Sequence, residues 1–525
     1  MTTRPRILLV TPEVTYLPRS VRETYHCLND RDGGLADMTA ALIQALYHLG
    51  ADIHVALPHY RTIFNRHASR IASRWGCAID GGRVPLERIH LAQDRAFYYV
   101  DHLNETGAVQ RFQMAVAFQR DVINNIIPRV RPDLIHCNDW MTALIPAMAR
   151  SWGIPCLFSL HSLHSEHCPL QAVEERGLDT TPFRQNLYYE HYPSPGDPGG
   201  NRIDLLTSAV FAAHYLNTSS PTFLNEIVEG RHRFIPAALQ SEIAAKVEAD
   251  CAQGILYAPD RTYDPAQDTA LARPYNAATH VKGKRANKKA LQRLLGLPAN
   301  PQAPLFFWPS RMDPAHCGCQ LLADTLYALV DRYWSHRLQV VFVGDGPFQG
   351  HFKAIVDFHQ LDQQVAVVDF DEEIARLAYG AADFVLAPSC FEPCGLAQMI
   401  GALYGALPVA YDTGGIHDTL VPMDVDRNCG NGFVFEVFDA SGLIWAVDQA
   451  MDFYQRPDYL RARQVGRVMT ESTRQFNHRL AAGHYIALYE RMLQRPLLPQ
   501  FEGQPHERMP QASPAETSPN ARSAA

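Results

Sequence analysis

Short apolar runs alternate with amphipathic stretches along most of the chain. Ile7–Val10 is apolar throughout, which predicts a buried first strand. Over residues 35–49, Leu35, Met38, Leu42, Leu46 and Leu49 recur at helical spacing on one face, and Gly50 ends that helix. Ile53–Leu57 reads as the next strand, and "DLIHCNDW" (133–140) and "PCLFSLHS" (155–162) as two more that end in polar residues. A second block repeats the pattern at Leu305–Pro309, Val340–Val343, Val365–Val368, Asp383–Leu386 and Leu407–Ala410, each run followed by a helical stretch. Strand–helix alternation in two blocks predicts an α/β protein with two doubly wound, Rossmann-like sheets. No short internal repeat is visible.

Composition narrows the class. At 525 residues the chain is too long for one core and is expected to divide. Hydrophobic residues make up 47% and charged residues 19%, the balance of a soluble globular protein. A net charge of −8 argues against a nucleic-acid partner, which calls for a basic face. No apolar run approaches the roughly 18 residues of a membrane helix, so no membrane partner is expected. The apolar part of the N-terminus, Ile7–Val10, is too short for a signal peptide. Eleven cysteines without framework spacing fit a reducing cytoplasm better than secretion. Residues 496–525 hold six prolines among Ser, Ala, Gln and Asn and read as a disordered tail.

Candidate chemistry gathers where predicted strands end. The stretch "APSCFEPCGLAQMIGALYGALPVAYDTGGIHDTL" (387–420) places Glu392 at one strand-to-helix junction and Thr413-Gly414-Gly415 at the next. The C-terminal ends of parallel strands are where such sheets bind ligands. Gly33-Gly34 precedes a helix whose N-terminus favours an anion, although a tight turn explains the pair equally well. Arg311, past "LFFWPS", offers a planar fork for a phosphate from the opposite sheet. Asp139, His161 and Asp37 also lie near strand or helix ends, where helix-dipole and structural roles compete with functional ones.

"GGLADMTAALIQALYHLGADIHVALPHYR", "HCNDW", "SLHS", "TSSPTFLNEI", "PSRMDP", "FEPCGLAQ" and "DTGGIHDT" resemble, in order and spacing, the bacterial glycogen and starch synthase family, from about residue 5 to 495. The resemblance implies a GT-B glycosyltransferase with a central cleft between its domains. It implies transfer of glucose from ADP-glucose to the non-reducing end of an α-1,4-glucan, with retention and without metal or other cofactor. By resemblance, Glu392, His161 and Asp139 are catalytic candidates. Arg31, Gly33, Gly34, Arg311, Cys317, Gly395, Thr413, Gly414 and Gly415 are candidates for the nucleotide sugar, and Asp37 for the acceptor. The implied division is 1–256 for the acceptor-side domain, 257–300 for a crossing, and 301–475 for the nucleotide-sugar domain. A C-terminal helix over 476–495 would return to the first domain. Nothing in the sequence sets an oligomeric state.

Several positions depart from the family pattern. Arg31 stands where Lys is usual and is followed by Asp32. Cys317 stands where a second Lys is expected, Cys390 where Arg is usual, and Ser162 and Tyr257 where Asn is common. Loss of one donor to a leaving group costs about 10²–10³ in rate, so a non-catalytic relative that binds glucan or nucleotide stays open beside the enzyme. His316, Cys317, Cys319, Cys390 and Cys394 lack the compact paired spacing of a zinc site and read as packing residues.

Overall fold

The computed structural model describes residues 4–14, 35–61, 88–100, 106–194, 196–197 and 199–498. Arg31, Gly33 and Gly34 lie outside the described residues. Fifteen strands are present among the described residues: β1 (Arg6–Val10), β2 (Asp52–Pro58), β3 (Ile89–Ala92), β4 (Leu134–Asn138), β5 (Cys156–Leu160), β6 (His167–Pro169), β7 (Arg202–Asp204), β8 (Tyr215–Thr218), β9 (Ala252–Gly254), β10 (Leu305–Pro309), β11 (Gln339–Val343), β12 (Val365–Val368), β13 (Phe384–Ala387), β14 (Leu407–Tyr411) and β15 (Phe433–Phe435). One parallel sheet runs β3-β2-β1-β4-β5-β8-β9 and the other β12-β11-β10-β13-β14-β15, with β6 and β7 forming a small antiparallel pair. These are two Rossmann-like sheets, each covered by helices. Burial of both faces explains why β1, β5 and β11 read as nearly unbroken apolar runs.

Each sheet reverses its strand order once, at β1/β4 in the first and at β10/β13 in the second. Ligands bind such sheets in the crevice at that reversal, outside the carboxyl ends of the strands. Arg311 follows β10 and Glu392 follows β13, so the second reversal is flanked by a guanidinium and a carboxylate. In the first sheet Asp139 follows β4 and His161 follows β5.

Three features differ from the sequence-based expectations. Strands β3, β8, β9 and β15 do not register as apolar runs, being short (IHLA, YLNT, AQG and FVF) or partly polar. The Lys/Arg-rich part of 257–300 forms helix His280–Leu294, which packs on helix Glu372–Ala381 of the second sheet. Its Lys284 and Lys288 are buried, with Lys284 Nζ donating to the Tyr404 carbonyl at 2.9 Å and Lys288 paired with Asp383. The packed chain also extends past residue 496, because Leu497 is buried and its amide donates to Glu490 Oε1 at 2.8 Å.

Helix His478–Leu493 returns to the first sheet and packs on helix Leu35–His48. The Tyr489 hydroxyl lies 2.7 Å from Nδ1 of His136 on β4. No described helix is long and apolar enough to cross a membrane.

Candidate active site

β13 delivers its chain to the crevice through Pro388, and the helix that follows does not start until Leu396. Glu392 occupies the intervening loop. Its Oε1 accepts the Gly395 amide at 3.0 Å. Gly395 has φ +73°, a left-handed conformation that glycine adopts without a Cβ penalty, and this lets the loop fold back on the carboxylate. Desolvation raises the Glu392 pKa against the opposing hydrogen bonds from Gly395 and Ser389 and the field of Arg311. A partly desolvated carboxylate is a strong electrostatic partner for a developing positive charge.

Arg311 is exposed at the end of β10. Its carbonyl leaves no space for a Cβ at Gly346, which locks the β10 loop against the β11 loop. Cys317 lies within electrostatic reach of both Arg311 and Glu392; burial raises its thiol pKa. A neutral thiol therefore stands within the field of both the guanidinium and the carboxylate. Cys390 sits on the same loop junction, its amide donating to the His316 carbonyl at 3.1 Å. Among the described residues no three His, Cys, Asp or Glu side chains come together to hold a metal.

From the first sheet, Asp139 has φ +61° and ψ 173°, a region that suits glycine. Its Oδ1 accepts the Trp140 amide at 2.9 Å and the Ser162 hydroxyl at 3.0 Å. Burial nevertheless raises its pKa to about 6. His161 Nε2 lies 3.1 Å from Asn138 Oδ1, while Nδ1 is buried with no partner among the described residues. Desolvation lowers the imidazole pKa to about 3, so the ring is neutral at physiological pH. The unpartnered Nδ1 is the kind of buried polar atom that a ligand hydroxyl satisfies.

Tyr257 joins the two halves. Its ring stacks on His161 with centroids 5.5 Å apart, and its backbone hydrogen-bonds the Cys394 thiol. Behind it the Tyr257 hydroxyl lies 3.0 Å from that of Tyr485, which donates to Asn217 Oδ1 at 2.6 Å. The network continues through Ser159, whose hydroxyl donates to Asn217 Oδ1 and lies 2.7 Å from His136 Nε2. Asp37, in the first turn of helix Leu35–His48, is half-buried and within the electrostatic field of Tyr263.

The turn after β14 is engaged with protein. Thr413 Oγ1 donates to Glu226 Oε1 at 3.1 Å, and the Gly414 amide donates to the same oxygen at 3.0 Å. The Gly415 amide donates to the Glu392 carbonyl at 2.9 Å. These donors, expected to meet the nucleotide sugar, are thus turned to Glu226 and Glu392. Glu226 did not stand out in the sequence, although a lone acid within the apolar helix Pro221–Val228 is a visible signal.

Residues 6–235 match the family model described as starch synthase catalytic domain, and residues 303–452 match glycosyl transferases group 1. The chain is 30% identical to glycogen synthase 2 of Geobacter sulfurreducens over 489 residues, covering 87% of this chain and 95% of that relative. The chain belongs to the glycogen and starch synthase family. It is therefore a hexosyltransferase. Glycogen synthase of Bacillus subtilis is 29% identical, with 82% of this chain and 89% of the relative covered. Among solved structures, the catalytic domain of Starch Synthase IV from Arabidopsis thaliana, bound to ADP and acarbose, aligns with a TM-score of 0.72 at 24% identity, covering 94% of this chain and all of that one. Sucrose-phosphate synthase from Thermosynechococcus elongatus aligns with a TM-score of 0.55 at 18% identity, over 94% of this chain and all of its own. These likenesses carry the two-domain GT-B architecture.

Proposed function

We propose that this synthase transfers glucose from ADP-glucose to the non-reducing end of an α-1,4-glucan, with retention of anomeric configuration. The observation that carries this reading is the placement of Arg311 and Glu392 on either side of the β10/β13 reversal, with Tyr257 linking the Glu392 loop to His161. Arg311 holds the diphosphate from the second domain, and Arg31, Gly33 and Gly34 meet it from the first. Glu392 holds donor hydroxyls and stabilises the positive charge that develops at the anomeric carbon. The Nδ1 of His161 meets a donor hydroxyl, Asp139 acts with it as a catalytic group, and Asp37 lines the acceptor side. Neutral Cys317 supplies no charge to the departing diphosphate, so the reaction relies on Arg311 and the first-domain loop. The relevant units are residues 1–256 and 301–475, and the site of action is the cytoplasm.

The test is transfer of labelled glucose to glycogen from ADP-glucose and, separately, from UDP-glucose. Incorporation from ADP-glucose alone, with α-linked product, is the expected result. No incorporation from either donor contradicts the reading.

A further inference from the structure

The two domains meet beside Glu392 through a compact set of contacts that substrate binding does not explain. Glu226 is 3% exposed on a first-domain helix, and its carboxylate reaches across to Thr413 and Gly414 of the second domain. Its other oxygen lies 3.0 Å from His232 Nε2. Four residues earlier, the Thr222 amide and hydroxyl both donate to Asp418, at 3.0 and 2.8 Å. Phe391, the residue before Glu392, inserts edge-on among Phe223, His232 and Phe234, with ring centroids 5.4, 4.9 and 5.1 Å away.

The Thr413–Gly415 turn has little freedom of its own. A Cβ on Gly414 would sit 2.2 Å from the Glu392 carbonyl, and one on Gly415 1.9 Å from the Cys394 carbonyl. The turn is thus pressed against the backbone of the Glu392 loop, and Gly415 hydrogen-bonds to it. Whatever fixes the turn fixes Glu392. The carboxylate that hydrogen-bonds to this turn, Glu226, comes from the other domain.

We propose that Glu226 is a positioning residue, which latches the first domain onto the Thr413–Gly415 turn and so braces the backbone of Glu392 while the two domains are in contact. Removing the carboxylate leaves the Gly414 amide and Thr413 hydroxyl buried without an acceptor, so the closed form is selectively disfavoured. The Thr222–Asp418 pair and the Phe391 insertion add to the same closure. The inference rests on the role given above to Glu392, but its structural half is separable from activity.

Glu226→Ala and Glu226→Gln test it with three readouts: turnover, ADP affinity, and interdomain distance in the presence of ADP, read by a fluorophore pair. Gln keeps an oxygen to accept the Gly414 amide, so it serves as the conservative variant. Glu226→Ala is expected to lower kcat about 10-fold or more while ADP affinity, served by Arg311, changes far less. The interdomain distance should lengthen in Glu226→Ala and return to the parental value in Glu226→Gln, with most of kcat restored. Should Glu226→Ala not fold, Asp418→Ala removes the Thr222 contacts and is expected to lengthen the distance in the same direction. Parental distances in all folded variants overturn the latch, whether or not turnover changes. A lengthened distance in a chain with no transferase activity retains the latch and removes the role given to Glu392.

Discussion

The Gly415 amide donates to the Glu392 carbonyl at 2.9 Å, so the turn after β14 fixes the backbone of the carboxylate after β13. Side by side in a parallel sheet, the two strands bring together residues more than twenty positions apart. Glu392 is consequently held from both sides, by Gly415 at its carbonyl and by Gly395 at its carboxylate. A rigid backbone beneath a reacting group keeps its geometry through the reaction without reorganisation.

Cys317 is the departure with the largest predicted effect. It lies near both Arg311 and Glu392, and burial keeps its thiol protonated. Cys317→Lys places an ammonium where charge builds on the departing diphosphate, so turnover should rise about 10-fold under saturating donor, more than binding tightens. Unchanged turnover in an active parent shows that the first-domain loop already supplies this charge.

Much of this arrangement was legible in the sequence, for a physical reason. β10 buries both faces and β12, at the sheet edge, is apolar throughout, so their runs stand out at the bounds observed. Glu392 and Gly395 could be paired because they touch within one loop. Glu226 and Tyr485 could not, because their partners Gly414 and Asn217 lie 188 and 268 residues away. Strands such as β9, with sequence AQG, carry no pattern and exist because β8 offers them an edge.

Tyr485 acts on His161 at one remove. Its hydroxyl fixes Tyr257, whose ring packs on the imidazole. Tyr485→Phe leaves Asn217 Oδ1 with the Ser159 donor and removes one of the Tyr257 hydroxyl's two partners, Tyr485, leaving Ser159. Stability should fall by about 1 kcal/mol, and kcat should fall by more than that loss explains through misplacement of His161. A stability loss with parental kcat shows that Tyr485 is structural only.

Asp139 carries backbone strain of about 1–3 kcal/mol at its glycine-like φ and ψ. Asp139→Gly loses the contacts to Trp140 and Ser162 but also loses the strain, whereas Asp139→Ala loses only the contacts. Thermal unfolding should rank Asp139→Gly above Asp139→Ala, with transfer reduced in both. An Ala variant at least as stable as the Gly variant contradicts a strained Asp139.

Lys284 predicts a pH dependence of stability. Burial lowers its pKa from 10.5 to about 7. Between those values the unfolded chain holds the proton and the native chain does not, so native stability rises with pH across the window. The contribution is at most about 1.4 kcal/mol per pH unit. Lys284→Met should flatten this rise in urea unfolding measured near the two ends of the window. Equal slopes for parent and variant contradict the assignment.

The most direct measurement is glucose transfer from ADP-glucose to glycogen by the parent and by Glu392→Ala, with ADP affinity determined for both. The account predicts that the variant folds, binds ADP through Arg311 nearly as the parent does, and loses at least about 10³ in turnover. Near-parental turnover in Glu392→Ala would contradict it.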